Sequence, residues 1–292
     1  MTIAAGLQPD QRPERWDDHV RLYEEVFEPL SLAFARRAIA RIEPRPGTRV
    51  LDVAAGPGGA ALALAACGAS VTAVDGSSGM VERIRRRAEV AGLDVEARTM
   101  DGLDLAFPDA AFDAALSVFG VILFPDAVRG LAAIRRVVRP GGPVAVVTWT
   151  EPERYELAAA LRAAIDSLGP APPPAGPLPA QLRFAAPEAF ERLFTEAGFG
   201  EVAIETAEAE LHAPSALWLA ERIRFAPGMD AWLSGLGDRE AAAIAALVAR
   251  LEREHGRGPL RLKAVASIGV GRGTGAGRDP KSPKLDSATG RL

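Results

Sequence analysis

One stretch of the chain, residues 50–59 with the sequence VLDVAAGPGG, constrains the fold more than any other. An apolar run leads into a glycine turn, the turn opens an apolar helical pattern, and a second apolar run ends at Asp75. This order is typical of the first half of a nucleotide-type site in a doubly wound α/β sheet. Gly56, Gly58 and Ala61 also satisfy the loose dinucleotide spacing, so an NAD-type site is one interpretation.

The acid at position 52 argues against a bound pyrophosphate. Asp52 lies four residues before Gly56, at the predicted strand end, where a phosphate would meet its negative charge. A ligand that carries an ammonium and a sulfonium group, but no phosphate, would be stabilised by the same carboxylate. S-adenosylmethionine is such a ligand, and the residues favour it over a dinucleotide.

Four segments, in order, resemble the motifs of class I S-adenosylmethionine-dependent methyltransferases. They are residues 50–59, 71–80, 101–113 and 138–142, the last of which resembles the turn before the fifth strand. The chain departs from the family at Ala54 and Ala55, where many members carry Gly-Cys or Gly-Thr. The resemblance implies a Rossmann-like α/β domain with a mostly parallel seven-stranded sheet, with S-adenosylmethionine as cofactor and S-adenosylhomocysteine as product.

The resemblance also implies which residues bind the cofactor. Asp52, with the backbone of Ala54 and Gly56, would receive the amino-acid portion. Asp75 would accept the two ribose hydroxyls, and Asp101 the adenine amino group. The predicted set is Asp52, Ala54, Gly56, Pro57, Gly58, Asp75, Gly76, Met80, Asp101, Gly102, Leu103, Ser117 and Val118. A loop cap is the alternative for Asp101, and a place in the core is the alternative for Met80.

The N-terminal region carries a second pattern, an aromatic and apolar helical face. Trp16, His19, Val20, Tyr23 and Phe27 recur at helical spacing, which predicts that they share one helical face. In similar enzymes a helix before the first strand covers the cofactor cleft, so the resemblance implies that this helix is a lid. His19 is the candidate general base, because an imidazole takes up a proton near neutral pH. The predicted substrate-binding residues are Trp16, His19, Tyr23, Phe119 and Trp149. The alternative is a helix that only packs on the sheet, with His19 in a structural role.

The alternation of strand and helix patterns predicts one main domain with additions. Residues 1–45 would form the helical lid and residues 46–270 the methyltransferase domain. A helical insertion is expected at about 213–258, between the last two strands. The proline-rich segment 169–179 predicts an extended connection, and the polar residues 271–292 predict a disordered tail.

Composition narrows the class of protein. A net charge of -4 gives no basic face for nucleic acid, and no apolar run is long enough to predict a membrane span or a signal peptide. The single cysteine, Cys67, is expected to be buried, and a reducing cytoplasm is the default location. Three scattered histidines predict no metal site. The arginines between 83 and 87 are expected to form a solvated helix face.

Together these features predict methyl transfer to an O, N or C nucleophile of a small, partly apolar molecule, by a monomer or homodimer. The catalytic Asn-Pro-Pro-Tyr sequence of nucleic-acid and amide N-methyltransferases is absent. Two alternatives stay open. One is a methyltransferase-like fold that catalyses a non-methylating reaction or only binds a ligand, and the other is an NAD-dependent oxidoreductase.

Overall fold

The computed structural model describes residues 6–169 and 179–273, which contain seven strands. The strands are β1 (Arg49–Val53), β2 (Ser70–Asp75), β3 (Val95–Thr99), β4 (Ala114–Val118), β5 (Pro143–Trp149), β6 (Phe199–Ala213) and β7 (Leu260–Gly273). They form one sheet in the order β3-β2-β1-β4-β5-β7-β6. The first five strands are parallel, whereas β7 runs antiparallel to both β5 and β6. The predicted doubly wound, mostly parallel sheet is confirmed.

Helices cover both faces of this sheet. They are α1 (Val20–Leu22), α2 (Glu28–Ile42), α3 (Gly59–Ala66), α4 (Ser78–Ala91), α5 (Ala127–Val137), α6 (Glu156–Asp166), α7 (Pro187–Glu196), α8 (Ala216–Glu221), α9 (Pro227–Ser234) and α10 (Glu240–His255). The last three lie between β6 and β7, so the predicted helical insertion is present. No helix within the described ranges is long and apolar enough to cross a membrane.

The sequence forms this sheet because its central strands are mostly apolar. β5 is buried at every position, as expected for a strand that has helices on both faces. Phe34 and Leu64 belong to the apolar cluster on one face, and Phe190 and Phe194 to the cluster on the other. In β7, a Cβ at Gly269 would lie 2.6 Å from the Phe194 ring, so glycine allows α7 to pack directly on the strand.

The N-terminal region differs from the single helix that the sequence predicts. Pro13–His19 forms a 3-10 helix, α1 follows, and the π turn Tyr23–Phe27 leads into α2. A 3-10 helix has three residues per turn, so Trp16 and His19 still lie above one another there. The spacing of apolar residues therefore suggests one helix where the backbone changes its winding twice.

Three further expectations are corrected or fall outside the described residues. Residues 271–273, which the sequence predicts as part of a disordered tail, belong to β7, and the carbonyl of Gly273 accepts a hydrogen bond from Gly141 N (3.0 Å). Cys67 is exposed, because it follows the last residue of α3 as its C-cap. The predictions for residues 170–178 and 274–292 concern parts of the chain that the structure does not describe.

Candidate cofactor site

The turn between β1 and α3 lies at the carboxyl edge of the sheet, where ligands bind in doubly wound folds. Its backbone is left-handed at Ala54 (φ 55°), Gly56 (φ 55°) and Gly58 (φ 94°). A Cβ at Gly58 would lie 2.8 Å from Ile84 Cγ1, so this position requires glycine on both counts. Ala54 adopts the same conformation at some cost in strain, as is common at functional sites.

The backbone N–H groups of this turn already have acceptors within the protein. Ala55 N donates to Val74 O (3.1 Å), Gly56 N to Asp75 Oδ2 (2.8 Å), Gly58 N to Ala55 O (3.1 Å) and Gly59 N to Glu28 Oε1 (2.9 Å). Pro57 has no N–H to give. In dinucleotide sites such donors hold the pyrophosphate. Here two carboxylates and two backbone carbonyls of the protein occupy them, and the carboxylates make the cleft anionic.

Asp52 is the least satisfied polar group of this cleft. It is 1% exposed, and its carboxylate accepts a hydrogen bond from Ala61 N, near the start of α3. Its other oxygen, Oδ2, has no hydrogen-bond partner among the described residues. Burial raises the pKa of Asp52 to about 7, and the nearby charge of Asp75 acts in the same direction. A buried carboxylate in this state lacks the cation that would stabilise its charge.

Asp75, the last residue of β2, is held by the backbone on both of its oxygens. Oδ2 accepts from Gly56 N and Oδ1 from Ser77 N, both at 2.8 Å. Burial raises the pKa of Asp75 to about 6, while the hydrogen bonds from Ser77 and Gly56 lower it. Each carboxylate oxygen has two lone pairs, so Asp75 is fixed in place and can still accept from a pair of hydroxyls.

Between the turn and α2 lies a cavity of about 20 Å³, which has room for about one water molecule. It is lined by Tyr23, Glu28, Ser31, Leu32, Ala35, Asp52, Ala54, Ala55, Pro57, Gly59, Ala60 and Val118. The described residues include no group of three His, Cys, Asp or Glu side chains placed to hold a metal ion. Of the residues predicted from sequence, Tyr23, Asp52, Ala54, Pro57 and Val118 meet here.

Residues 9–27, which we call the N-terminal cover, lie over this cleft. A Cβ at Gly76 would be 2.7 Å from Pro13 Cβ, so Pro13 is pressed against the turn after β2. Asp17 Oδ1 accepts from Ser77 Oγ (2.6 Å) and from Gly79 N (2.8 Å), at the start of α4. These contacts hold the cover against the turn after β2 and the start of α4.

The predicted face of the cover separates into two parts. The Trp16 and Tyr23 rings lie 5.7 Å apart and continue to Phe27 (5.1 Å from Tyr23), while Tyr23 Cε1 would be 3.6 Å from a Cβ at Gly56. His19 is buried and its Nδ1 lies 2.8 Å from the carbonyl oxygen of Arg15. Because a carbonyl only accepts, Nδ1 donates in this pair. His19 is not among the residues that line the cavity.

An aromatic cluster stands at the carboxyl ends of β4 and β5. Phe119 has a left-handed backbone (φ 58°), and its ring stacks on Trp149 at 4.4 Å. Trp149 in turn stacks on Tyr155 at 4.7 Å, and Phe27 packs against Phe225 at 5.4 Å. The hydroxyl of Tyr155 is buried and has no hydrogen-bond partner in the described part of the chain. Sequence analysis missed Tyr155 and Phe225, which lie outside the recognised motifs.

Several predicted cofactor residues have structural partners instead of facing the cavity. Ser117 Oγ donates to Val53 O (2.8 Å) and accepts from Val121 N (3.0 Å), which ties β4 to β1. Met80 is 2% exposed, as the core alternative expects. Their roles toward a cofactor stay predictions.

The adenine side of the predicted site is built as a capped turn. Asp101 Oδ1 accepts from Leu103 N (2.9 Å), as the loop-cap alternative expects. A Cβ at Gly102 would lie 2.3 Å from Phe124 Cζ, so the Phe124 ring lies directly on this glycine. The roles of these residues toward adenine also stay predictions.

Comparison with known proteins places this architecture in a family. Residues 50–142 match the model of the methyltransferase domain family. An uncharacterised protein of Mycobacterium tuberculosis is 34% identical over 157 residues, covering 51% of this chain and 56% of the relative. The demethylmenaquinone methyltransferase of Clavibacter sepedonicus is 44% identical over 157 residues, covering 52% of this chain and 63% of that protein.

Two solved structures share the fold. The YcgJ protein of Bacillus subtilis superimposes with a TM-score of 0.55 at 21% identity, covering 84% of this chain and 99% of that one. The [4+2]-cyclase SpnF superimposes with a TM-score of 0.56 at 20% identity, covering 92% and 99%. The chain spans about half the length of the curated relatives it matches. The resemblance to class I S-adenosylmethionine-dependent methyltransferases that the sequence motifs indicate is therefore confirmed over residues 50–142.

Proposed function

We propose that the protein binds S-adenosylmethionine and transfers its methyl group to a nucleophile on a small, partly apolar molecule. The observation that carries this proposal is the buried, unpartnered oxygen of Asp52 in a cleft that also contains Asp75 and Glu28. A cation in this cleft would stabilise the buried negative charge, whereas a phosphate would add to it. The match to the methyltransferase domain family supports the same ligand.

The residues present fit the cofactor at both of its polar ends. Asp52 would receive the ammonium group of the amino-acid portion, and Asp75 would accept from the ribose hydroxyls. Bound S-adenosylmethionine supplies a methyl group that is electrophilic because it is attached to a sulfonium. The protein then holds the acceptor close and in line, and such positioning can supply much of the rate.

An NAD-dependent reaction is the poorer fit. Two acids already take the N–H donors at the start of α3, since Glu28 accepts from Gly59 and Asp52 from Ala61. A pyrophosphate would have to displace both carboxylates and would then lie beside their charges. We therefore expect no measurable stabilisation by NADH.

The acceptor side of the proposal depends on the aromatic cluster. Val118 lines the cavity, and Phe119, the next residue, stacks on Trp149. A surface of stacked rings beside the cleft suits a partly apolar acceptor. Two relatives at 41% and 44% identity are named demethylmenaquinone methyltransferases, which is consistent with an acceptor that has an apolar ring.

The experiment is methyl transfer by the full chain to a panel of small phenols, hydroquinones and amines. Mass spectrometry should find an acceptor that gains one CH2 unit, together with an equal amount of S-adenosylhomocysteine. If Asp75→Ala forms neither product, the reaction depends on this cleft. An acceptor that is consumed without a change in mass would contradict the proposal.

Consumption of the acceptor without a change in mass would instead support a non-methylating reaction. One protein of the same fold, SpnF, is described as a [4+2]-cyclase, so the fold by itself does not require methyl transfer. Product mass separates the two functions because a rearrangement conserves the mass of its substrate.

A further inference from the structure

A second acid, from outside the recognised motifs, reaches the cofactor turn. Glu28 begins α2, directly after the π turn, and is 7% exposed. Its Oε1 accepts from Gly59 N (2.9 Å) and from Arg87 Nη1 (2.7 Å). A Cβ at Gly59 would lie 2.8 Å from Oε1, so the close approach of this carboxylate requires glycine. The N-terminal helix therefore fixes a charge against the first residue of α3.

Glu28 and Asp52 line the same cavity, and each has one carboxylate oxygen without a hydrogen bond from a described residue. Asp52 is 1% exposed and its Oδ2 is unpartnered, while no hydrogen bond to Glu28 Oε2 is found from any described residue. No basic side chain is among the lining residues. The Arg87 guanidinium contacts Glu28, donates a hydrogen bond to Pro57 O (2.8 Å) and lies 3.7 Å from Glu24.

The charges around the cavity do not cancel. Arg83 pairs with Glu24 (2.6 Å) and Arg87 with Glu28 (2.7 Å), whereas Asp52 has no cationic partner among the described residues. A buried excess of negative charge is stabilised by a cation with several N–H donors. The ammonium group of an amino acid has three such donors.

We propose that Glu28 is a cofactor-binding residue that receives, together with Asp52, the ammonium group of S-adenosylmethionine. This rests on the proposed function and adds to it a ligand contact from the N-terminal helix. Because Glu28 begins α2, the ammonium group then joins that helix to the turn after β1.

A purely structural role for Glu28 makes a different prediction. If Glu28 only supports the turn through Gly59, its loss should weaken every ligand that uses the turn. If Glu28 binds the ammonium group, its loss should weaken only ligands that have an amino-acid portion. S-adenosylhomocysteine and 5′-methylthioadenosine separate the two roles, because the second has the adenosine and the thioether but no amino acid.

The first experiment is calorimetric titration of Glu28→Gln with both ligands. We expect S-adenosylhomocysteine to bind at least about tenfold more weakly than to the wild type and methylthioadenosine to change by less than about twofold. Glu25→Gln is the matched control, since Glu25 lies in the π turn directly before α2 and pairs with Arg222 (2.9 Å) outside the cavity. It should alter neither affinity by more than about twofold. An equal loss for both ligands in Glu28→Gln would overturn the assignment.

A second experiment uses the wild-type protein and needs no variant to fold. The analogue of S-adenosylhomocysteine that lacks the amino group should bind at least about tenfold more weakly than the analogue that lacks the carboxyl group. The reverse order would overturn the role of Glu28. If the wild type binds neither S-adenosylhomocysteine nor methylthioadenosine, the proposed function fails; if it binds both and the variant weakens both alike, only the role of Glu28 fails.

Discussion

At the scale of single residues, the protonation of Asp52 should control cofactor affinity. Its pKa is raised to about 7, chiefly by burial, so the carboxyl group is neutral below that pH and charged above it. A neutral carboxyl group attracts an ammonium ion less strongly, so affinity should rise with pH. We expect the affinity for S-adenosylmethionine to increase by about tenfold from about pH 6 to about pH 8, measured by calorimetry.

Asp52→Asn provides the control for this pH dependence. The variant keeps the shape of the side chain but cannot ionise, so its affinity should be lower at the upper end of the range and nearly independent of pH. A wild-type profile as flat as that of the variant would show that Asp52 does not meet the ammonium group.

His19 is the residue for which the sequence prediction and the structure differ most. A general base typically contributes about a hundredfold or more to the rate. His19 instead donates to the Arg15 carbonyl and lies outside the cavity lining. We therefore expect His19→Gln to lower single-turnover methyl transfer by less than about fivefold, with the pH profile retained. A hundredfold loss, with loss of the pH dependence, would restore His19 as the base.

Sequence reasoning found the residues that belong to a local pattern and missed those whose partners are distant in the chain. Asp52 and Asp75 follow apolar strands at fixed distances from the glycine turn, so a local pattern identifies them. Glu28 looks like an ordinary acid in the first turn of a helix, and its partner Gly59 lies 31 residues away. Arg87 was expected on a solvated face, but it binds Glu28, 59 residues away. Such pairs depend on tertiary packing and leave no local signal.

At the scale of elements, the attachment of the N-terminal cover to α4 should control the exchange of cofactor. Asp17 supplies an acceptor for Gly79 N at the start of that helix, and loss of such a cap costs about 1 kcal/mol. In Asp17→Ala, we expect amide hydrogen exchange in residues 9–27 to be faster by about fivefold, and S-adenosylhomocysteine to dissociate faster by a similar factor.

Asp18→Ala is the matched control for the attachment. Asp18 is the exposed neighbour of Asp17 and makes no hydrogen bond or ion pair with another described residue. Its loss should leave exchange and dissociation unchanged. If both variants behave as the wild type, the cap does not hold the cover closed.

Removal of the whole cover is a less specific test than the sequence suggests. Val26 and Phe27 are 2% and 7% exposed, and the Phe27 ring contacts the rings of Phe119, Trp149 and Phe225. A deletion of residues 1–28 would therefore remove part of the hydrophobic core as well as the lid. Point changes at the outer end of the cover separate the two effects.

Elements with regular periodicity were predicted closely, and irregular ones were not. The local sequence accounts for the bounds of α4 and β3, because Gly92 ends the helix and Val95–Thr99 alternates apolar and polar residues. The 3-10 helix and π turn before α2 could not be predicted, because both keep apolar residues on one side at spacings close to those of an α-helix.

At the scale of the whole molecule, the mostly parallel sheet follows from the sequence, whereas the contacts of the N-terminal cover do not. Four motifs in order imply the parallel part of the sheet, and the helical patterns between the last two strands imply an insertion there. The cover contacts the turns after β1 and β2. These contacts join segments that no periodic pattern connects.

The most direct test of the central claim is calorimetric binding of S-adenosylmethionine and of NADH to the full chain. We expect the wild type to bind S-adenosylmethionine. Asp75→Ala should lose about 1.5–3 kcal/mol of binding free energy, because the ribose acceptor is removed. NADH should give no binding heat. Binding of NADH, or an affinity for S-adenosylmethionine that Asp75→Ala leaves unchanged, would contradict the assignment of this cleft.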